Sequence, residues 1–391
     1  MSRIEIPLSA PDITDAEIEA VVSVLRTPRL SLGPKMAEFE AAMARYVGAP
    51  HAIAVSSGTA GLHLALVALG IGPGDEVIVP SFTFIAVANA VRYVGAQPVF
   101  ADIDPETLNL DPASVEAVVT PRTRALIAVH TFGLPAPVAA LLDIARRHNL
   151  LVIEDACEAV GAEIDSRHVG TLGDAGVFAF YPNKQITTGE GGMVVTSNSE
   201  VARRIAALRN HGRYESASEV LGYAPESTDS WFEHAELGFN YRLSEMQCAL
   251  GLAQLARIDA ILARRETIAH RYCDLLRGDP YLLLPPTRIA GQCLSWFVFV
   301  VRLAPAFSRA DHDHLMHTLT ERGIATGRYF APIHLQPAYA AWRESTLLPI
   351  TESVAARTLA LPFFNRITEE QMERVCTALQ CSLRAETQPL P

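Results

Sequence analysis

The sequence predicts an α/β protein, with a mostly parallel sheet in a large domain and a smaller α+β domain after it. Between about residues 50 and 200, short apolar strands alternate with longer helical stretches. Apolar strands in such an alternation are buried on both faces, as in a parallel sheet covered by helices. The length of 391 residues is enough for two domains, each with its own core.

The elements follow from the residue patterns in chain order. Two helices come first, at Asp15 to Arg26 and at Pro34 to Tyr46, and Asp12 or Thr14 is the expected cap of the first. The alternating region then predicts strands at 52–55, 76–79, 98–101, 125–130 and 150–154, with helices at 58–69, 84–93, 111–119 and 137–148. The next two strands, 176–181 and 192–196, have no full helix between them. We therefore expect the sheet to mix strand directions there.

A helix at Glu200 to Asn210 closes this region, and one long helical pattern runs from Ser244 to about Leu276. We interpret that pattern as the connector between the domains and divide the chain into residues 1–255 and 256–391. In the smaller domain the patterns predict a strand at 295–303 and helices near 312–322 and 369–379.

The charge composition limits the possible partners and nucleophiles. The 32 basic residues against 43 acidic ones give a net charge of -11 without any basic block, which disfavours a nucleic-acid partner. Only two of the basic residues are lysines, Lys35 and Lys184. Chemistry that needs a side-chain amine therefore has two candidates.

Three further patterns concern location and cofactors. No apolar run approaches the roughly 20 residues that span a bilayer, and the N-terminus has no secretory pattern, so we expect a cytoplasmic protein without a membrane helix. The six cysteines are scattered without a C-x-x-C pair, which favours neither a disulfide framework nor a metal site.

Two segments at predicted strand ends have features of a ligand site, because ligands bind beyond the carboxyl ends of parallel strands. Ser56 to Gly61 opens a helix with small residues, and such a helix start can hold a phosphate or be an ordinary cap. Phe82 and Phe84 follow the next strand, where one ring could stack on a flat cofactor or both could be core residues.

Two more strand ends carry ionisable groups. Asp155 ends an apolar strand and could pair with a protonated pyridine nitrogen, cap a helix or bind a metal. Lys184 lies in the turn from Tyr181 to Gly192, among small and glycine residues that let backbone approach a ligand. Lys35 starts an amphipathic helix and is expected on the surface, so Lys184 is the better nucleophile candidate.

These segments resemble the DegT/StrS family of pyridoxal-phosphate-dependent nucleotide-sugar aminotransferases. The resemblance covers nearly the whole chain and is carried by 57–61, 80–84, 153–159, 180–192, 237–243, 334–339 and 361–365. It implies the aspartate-aminotransferase-like fold, fold type I, with a seven-stranded sheet. It also implies transfer of an amino group, by a ping-pong mechanism, from an amino acid such as glutamate to a nucleotide-linked keto-sugar.

The resemblance also implies roles for single residues. Lys184 would bind pyridoxal 5'-phosphate as an imine and then act as general base and acid in both half-reactions. For the cofactor it implies Asp155 on the pyridine nitrogen, Phe84 stacked on the ring, Gly58 and Thr59 on the phosphate, and Asn240 on the phosphate in a neighbouring subunit. The last role implies a homodimer with shared active sites. Substrate contacts are expected from Tyr181, Arg242, Tyr329 and His334.

Two positions depart from the family pattern. The family has Gln or His three residues after the aspartate, facing the phenolic oxygen of the cofactor, where this chain has Glu158. A carboxylate there should repel a phenolate unless Glu158 is protonated or turned aside. The family often has Ser five residues before the lysine as a phosphate ligand, where this chain has Ala179.

The substrate is less defined than the reaction. Glu158 resembles the perosamine-synthase branch, which aminates a GDP-linked 4-keto-6-deoxy sugar, as in lipopolysaccharide or O-antigen biosynthesis. Alternatives are a 3-keto-sugar or keto-inositol aminotransferase, a non-catalytic regulatory relative, and a β-lyase or aldolase. The presence of Lys184 argues against the regulatory relative, and the motif from His334 to Tyr339 argues against the lyase.

Overall fold

A computed structural model of the chain describes residues 4–214, 234–343 and 346–387. The large domain is built on a seven-stranded sheet with the strand order β1-β9-β8-β5-β4-β2-β3. The strands of this region are β1 (His51–Val55), β2 (Glu76–Pro80), β3 (Gln97–Ala101), β4 (Thr123–Val129), β5 (Leu151–Asp155), β6 (Glu163–Ile164), β7 (Arg167–His168), β8 (Ala175–Ala179) and β9 (Gly192–Thr196). The predicted α/β class and seven-stranded sheet are confirmed.

The direction of the strands changes where the helical connection is missing. Strands β3, β2, β4, β5 and β8 pair in parallel, whereas β9 runs antiparallel to both β8 and β1. A tight connection from β8 to β9 permits only antiparallel pairing, because a parallel return needs a long crossover. This confirms the predicted mixture of directions.

Helices cover both faces of the sheet. Those of the large domain are α1 (Asp15–Leu25), α2 (Pro34–Val47), α3 (Gly58–Ala68), α4 (Ala86–Tyr93), α5 (Pro112–Ala117), α6 (Val138–His148), α7 (Ser199–Leu208) and α8 (Glu245–Leu255). Thr14, one of the two expected caps, is the N-cap of α1. The apolar side chains of the central strands fill one core on each face, which explains their almost continuous hydrophobic sequence.

The prediction of a single connector helix from Ser244 to Leu276 is wrong. It is two helices, α8 and α9 (Ile258–Leu276), bent by 64° at their junction. Arg257 at the junction has a non-helical backbone, and its guanidinium contacts Glu17 Oε1 at 2.6 Å and Asp12 Oδ2 at 2.7 Å. Burial opposes ionisation of Glu17, but hydrogen bonds from Thr14, Arg257 and Gln254 hold its pKa down to about 2. Long-range ion pairs thus stabilise a bend that the apolar periodicity did not reveal.

The small domain has a three-stranded sheet in the order β10-β12-β13. Its elements, together with the short β11 that pairs with β6, are β10 (Leu282–Leu283), β11 (Gln292–Cys293), β12 (Phe299–Leu303), α10 (Arg309–Glu321), α11 (Ala340–Arg343), α12 (Pro349–Ala355), β13 (Thr358–Leu361) and α13 (Glu369–Thr387). The predicted strand from Ser295 begins four residues late, at Phe299. Residues 295–298 leave the sheet because their backbone bonds to groups elsewhere, including Gly133 and Arg265.

The N-terminal segment packs with the small domain rather than with the domain to which we assigned it. The amides of Glu5 and Ile6 donate to the carbonyl of Gly323, and the amide of Phe363 donates to that of Leu8. Ile6 is 1% exposed and fills the small-domain core. The division into residues 1–255 and 256–391 stays a prediction.

No single helix in the three described ranges has the length and apolar character needed to cross a membrane. Helices α8 and α9 reach that length and composition only as a bent pair.

Candidate active site

A pocket of about 510 Å³ lies at the carboxyl ends of the sheet strands, where the two domains meet. It brings together eight residues that the sequence singled out: Gly58, Thr59, Phe84, Asp155, Glu158, Tyr181, Lys184 and Tyr329. Most belong to the large domain, and Tyr329 comes from the small domain. The two domains therefore build one site.

The first turn of α3 forms one wall of the pocket. Ser57 caps the helix, its Oγ accepting the amide of Ala60 at 3.0 Å. The N–H groups of Gly58 and Thr59 precede the first intrahelical bond and can donate to an anion at the positive end of the helix. A Cβ on residue 58 would come within 2.8 Å of both Ala179 Cβ and Cys157 Sγ, so only glycine fits.

The two phenylalanines after β2 have different environments. Phe82 is fully buried and packs edge-on against Phe132 and Phe330. Phe84 is 59% exposed and lines the pocket. The interpretation that both rings are core residues is therefore wrong for Phe84, which is free to stack on a planar ligand.

The two lysines also differ, as expected. Lys35 lies on the surface and pairs with Glu38, one turn along α2, at 2.6 Å. The side chain of Lys184 is 13% exposed, and its Nζ lies 3.5 Å from Glu158 Oε1 and 4.0 Å from the ring centroid of Phe297. Lys184 is therefore the amine inside the pocket.

Two carboxylates line the pocket together with Lys184. Asp155 is 7% exposed, and its Oδ1 accepts the amide of Cys157 at 3.0 Å. Glu158 is equally buried, and its Oε2 accepts the amide of Phe132 at 3.0 Å. Burial raises the pKa of Glu158, an effect that the charge of Lys184 and the Phe132 amide only partly oppose. Burial thus disfavours the charged form of Glu158 relative to a solvent-exposed glutamate.

Three predicted site residues lie outside the pocket of this chain. His334 is fully buried, with Nδ1 2.7 Å from Ser81 Oγ and Nε2 3.3 Å from Glu352 Oε1. Its predicted contact with substrate does not fit this position, because both ring nitrogens face protein groups. Arg242 donates to Asn210 Oδ1 at 2.8 Å, and Asn240 is exposed on the surface.

Phe297 and Asn183 are among the pocket residues that the sequence did not mark as part of the site. Phe297 lies in a hydrophobic run that has the pattern of a plain core strand, so no sequence signal marked it. Asn183 precedes the lysine, and its Oδ1 is buried with no hydrogen-bond partner in the part of the chain that the structure describes. An open acceptor on the pocket wall suits an N–H or O–H group of a ligand.

The sequence matches the DegT/DnrJ/EryC1/StrS aminotransferase family over residues 11–380. The chain belongs to this family. GDP-perosamine synthase of Caulobacter vibrioides is 43% identical over 376 residues, which are 96% of this chain and 97% of that protein.

Solved structures agree with this membership. S. venezuelae DesV, solved with a ketimine intermediate, is 37% identical, with a TM-score of 0.85 and full coverage of both chains. Helicobacter pylori PseC, an aminotransferase of pseudoaminic acid biosynthesis, is 26% identical, with a TM-score of 0.90 and coverage of 97% of this chain and 100% of that one.

The protein is therefore an aminotransferase, and pyridoxal phosphate is its cofactor. The pocket fits this group in three ways. The first turn of α3 offers amides for a phosphate, Asp155 offers a carboxylate for a pyridinium, and Lys184 offers an amine for an aldehyde. The described residues contain no cluster of three or more His, Cys, Asp or Glu side chains that could hold a metal ion.

Proposed function

We propose that this protein transfers an amino group from an amino acid, glutamate, to a nucleotide-linked keto-sugar, and that the sugar is a 4-keto-6-deoxy sugar. The position of Lys184 in the pocket, beside Asp155 and Glu158, carries the amino-transfer part of the proposal. The relative at 43% identity, whose name states that it makes the nucleotide-linked amino-sugar GDP-perosamine, supports the sugar.

Lys184 performs the proton transfers in this proposal. When bound, pyridoxal phosphate supplies an electron sink for the charge that develops on the donor's α-carbon. Lys184 Nζ accepts the proton from that carbon and delivers it to the carbon on the other side of the nitrogen that is transferred. In the second half-reaction Nζ moves the proton in the opposite direction, so one residue serves both.

The other pocket residues bind and orient. Asp155 keeps a pyridine nitrogen protonated through a charge-assisted hydrogen bond, Phe84 stacks on the ring, and the Gly58 and Thr59 amides hold the phosphate. Glu158, when protonated, donates to a phenolic oxygen rather than repelling it. Tyr181 and Tyr329 are proposed to contact the sugar substrate.

We further propose that two copies share each active site. Three acids, Asp155, Glu158 and Glu190, and one base, Lys184, line the pocket of this chain. The proposed ligands carry phosphates and carboxylates, which are themselves anions. Such anions require additional cationic or polar partners. Asn240 and Arg242 of a second copy would supply them. Leu237, three residues before Asn240, is 88% exposed and offers an apolar contact for that copy.

The expected location in the cytoplasm stays a prediction. We place the product in amino-sugar synthesis for lipopolysaccharide or O-antigen, on the strength of the perosamine-synthase relative.

The central claim is tested by reducing the purified enzyme with borohydride and mapping the pyridoxyl mass. We expect the label on Lys184 and not on Lys35. A label on Lys35, or an enzyme without the imine absorbance, would contradict the proposal. A panel of GDP-, UDP- and dTDP-linked 3- and 4-keto-sugars and of keto-inositols then identifies the acceptor. Amination of only the 3-keto compounds or the inositols would replace the proposed substrate.

The shared site is tested by mixing two inactive variants, Lys184→Ala and Asn240→Ala. If each site takes Lys184 from one copy and Asn240 from the other, mixed dimers have one site with both residues intact and regain activity. A mixture as inactive as its components would contradict shared sites.

A further inference from the structure

The surroundings of Lys184 include an aromatic ring that the amino-transfer chemistry does not require. Phe297 of the small domain is 2% exposed, and Lys184 Nζ lies over its ring at 4.0 Å from the centroid. On another side, Glu158 Oε1 is 3.5 Å from the same nitrogen. The amine is thus held between a carboxylate and a ring face.

We propose that Phe297 and Glu158 form a docking site for the free ammonium of Lys184, used whenever the lysine is not bonded to the cofactor. This inference rests on the proposed function, because only an enzyme that releases its lysine during turnover needs such a site. Phe297 is then a positioning residue that acts through Lys184.

The chemistry of the two partners suits this task. A cation over an aromatic face is attracted to it, and the attraction grows as water is excluded. The ring attracts the charge but cannot take the proton, so the ammonium meets no proton acceptor on this side. The ammonium is therefore kept near the reacting atoms with its proton available.

The ring is fixed in place by a buried arginine. Arg265 of α9 donates from Nε to the carbonyl of Trp296 and from Nη2 to that of Phe297, each at 2.6 Å. Its Nη1 donates to Asn365 Oδ1 at 2.9 Å. Burial lowers the pKa of Arg265 to about 10, which leaves the group charged at neutral pH. These bonds hold residues 296–297 away from the strand that begins at Phe299.

A second connection ties this segment to the lysine itself. Gln185, the residue after Lys184, is 3% exposed, and its Nε2 donates to the carbonyl of Glu158 at 2.6 Å and to Ser295 Oγ at 2.9 Å. Ser295 Oγ in turn donates to the carbonyl of Val160. One buried amide therefore joins the lysine turn, the Glu158 turn and the segment that carries Phe297.

The small number of lysines makes the docking site measurable by NMR. The holoenzyme is first converted to its pyridoxamine form with an amino donor, which frees Lys184. Its amines are then dimethylated with ¹³C-formaldehyde and a mild reductant. The protein amines that are labelled are Lys35, Lys184 and the N-terminus, beside the amine of the pyridoxamine form, and the variants Lys35→Arg and Lys184→Arg assign the two lysine signals.

We expect the Lys184 methyl protons upfield of those of Lys35, because they lie over the face of the Phe297 ring. Phe297→Leu should remove this upfield shift and lower kcat about tenfold with little change in KM. Phe297→Tyr, which keeps the ring, should retain the upfield shift and the kcat of wild type. The methyl signal of Lys35 should keep its position in both variants.

Borohydride labelling of each variant before the donor is added separates the two proposals. Failure to label Lys184 in the wild type would overturn the proposed function. Labelling of Lys184 with its methyl signal at the position of Lys35, or an upfield shift that survives Phe297→Leu, would overturn the docking site alone.

Discussion

Two buried carboxylates, Glu154 and Glu158, lie four residues apart near the same strand end, and they have opposite surroundings. Glu154 is fully buried and accepts four hydrogen bonds, from His130 Nε2 at 3.1 Å and from the amides of Gly170, Leu172 and Gly173 at 2.8, 2.6 and 2.7 Å. Although burial opposes ionisation, these bonds lower the pKa of Glu154. Glu158 accepts one amide bond and faces Lys184 at 3.5 Å, and burial raises its pKa.

The difference separates a carboxylate with a structural role from one that we propose binds a ligand. His130 is held as a donor to Glu154, because its Nδ1 accepts the amide of Ala136. The hydrogen bonds of Glu154 thus fix the loop at 170–173 and the ring of His130. Glu158 keeps unused capacity toward the pocket, where a ligand or the lysine can bind it. Buried groups with incomplete partners are costly and concentrate at active sites.

The largest effect is expected at Lys184, the partner that distinguishes the Glu158 region. Lys184→Arg keeps a positive charge but removes the proton transfer, and transaminase activity should fall about 10³-fold or more. The free energy of unfolding should change little. Lys35→Arg is the matched control and should keep full activity in the same coupled assay. Comparable loss in both variants would remove the distinction between the two lysines.

The next largest effect is expected on the free energy of unfolding, at Glu154. Glu154→Gln replaces an ionised acceptor of four bonds by an amide whose NH₂ group faces backbone donors. We expect a loss of about 3 kcal/mol in the free energy of unfolding, measured with urea. Glu158→Gln, four residues away, should cost less than about 1 kcal/mol and keep the cofactor. Equal losses of unfolding free energy in Glu154→Gln and Glu158→Gln would contradict the difference between the surroundings of the two carboxylates.

In the cofactor-free protein, the free energy of unfolding of wild type relative to each of the two variants should change with pH in opposite directions. The lowered pKa of Glu154 means that its contribution is present above the ordinary value of 4.5 and is lost as pH falls through the folded-state pKa. The raised pKa of Glu158 means that wild type loses stability relative to Glu158→Gln as pH rises above 4.5. Each difference changes by at most about 1.4 kcal/mol per pH unit. Urea unfolding below pH 4.5 measures the Glu154 difference and urea unfolding above pH 4.5 measures the Glu158 difference, and slopes of the same sign would contradict the assignment.

The smallest effect is expected at Ala179, on the pocket wall beside Gly58. Ala179→Ser would restore the hydroxyl that the family often has there, adding one hydrogen bond to the cofactor phosphate. We expect about fivefold tighter cofactor binding, measured by titrating the cofactor-free enzyme. Gly58→Ala is the opposing control and should weaken binding, since its Cβ collides with residue 179. Unchanged affinity in Ala179→Ser would place the phosphate elsewhere.

Much of the site was predictable because its residues follow strands in the sequence. Asp155 directly ends β5 and Gly58 directly follows the short turn after β1, so the rule that strand ends converge brings them together. Phe297 and the bend at Arg257 were not predictable in this way. Their positions depend on Arg265, Glu17 and Asp12, partners that are distant in the chain.

The sequence by itself determined the α/β class, the mixed sheet and the family, and it singled out Lys184 as the candidate nucleophile, because each of these depends on local periodicity or on a contiguous motif. The tertiary structure decided what each side chain faces. It buried His334 against Ser81, left Asn240 on the surface, and gave Glu154 four donors but Glu158 only the Phe132 amide and the Lys184 amine. Protonation and reactivity follow from such long-range contacts and burial, which no stretch of sequence specifies on its own.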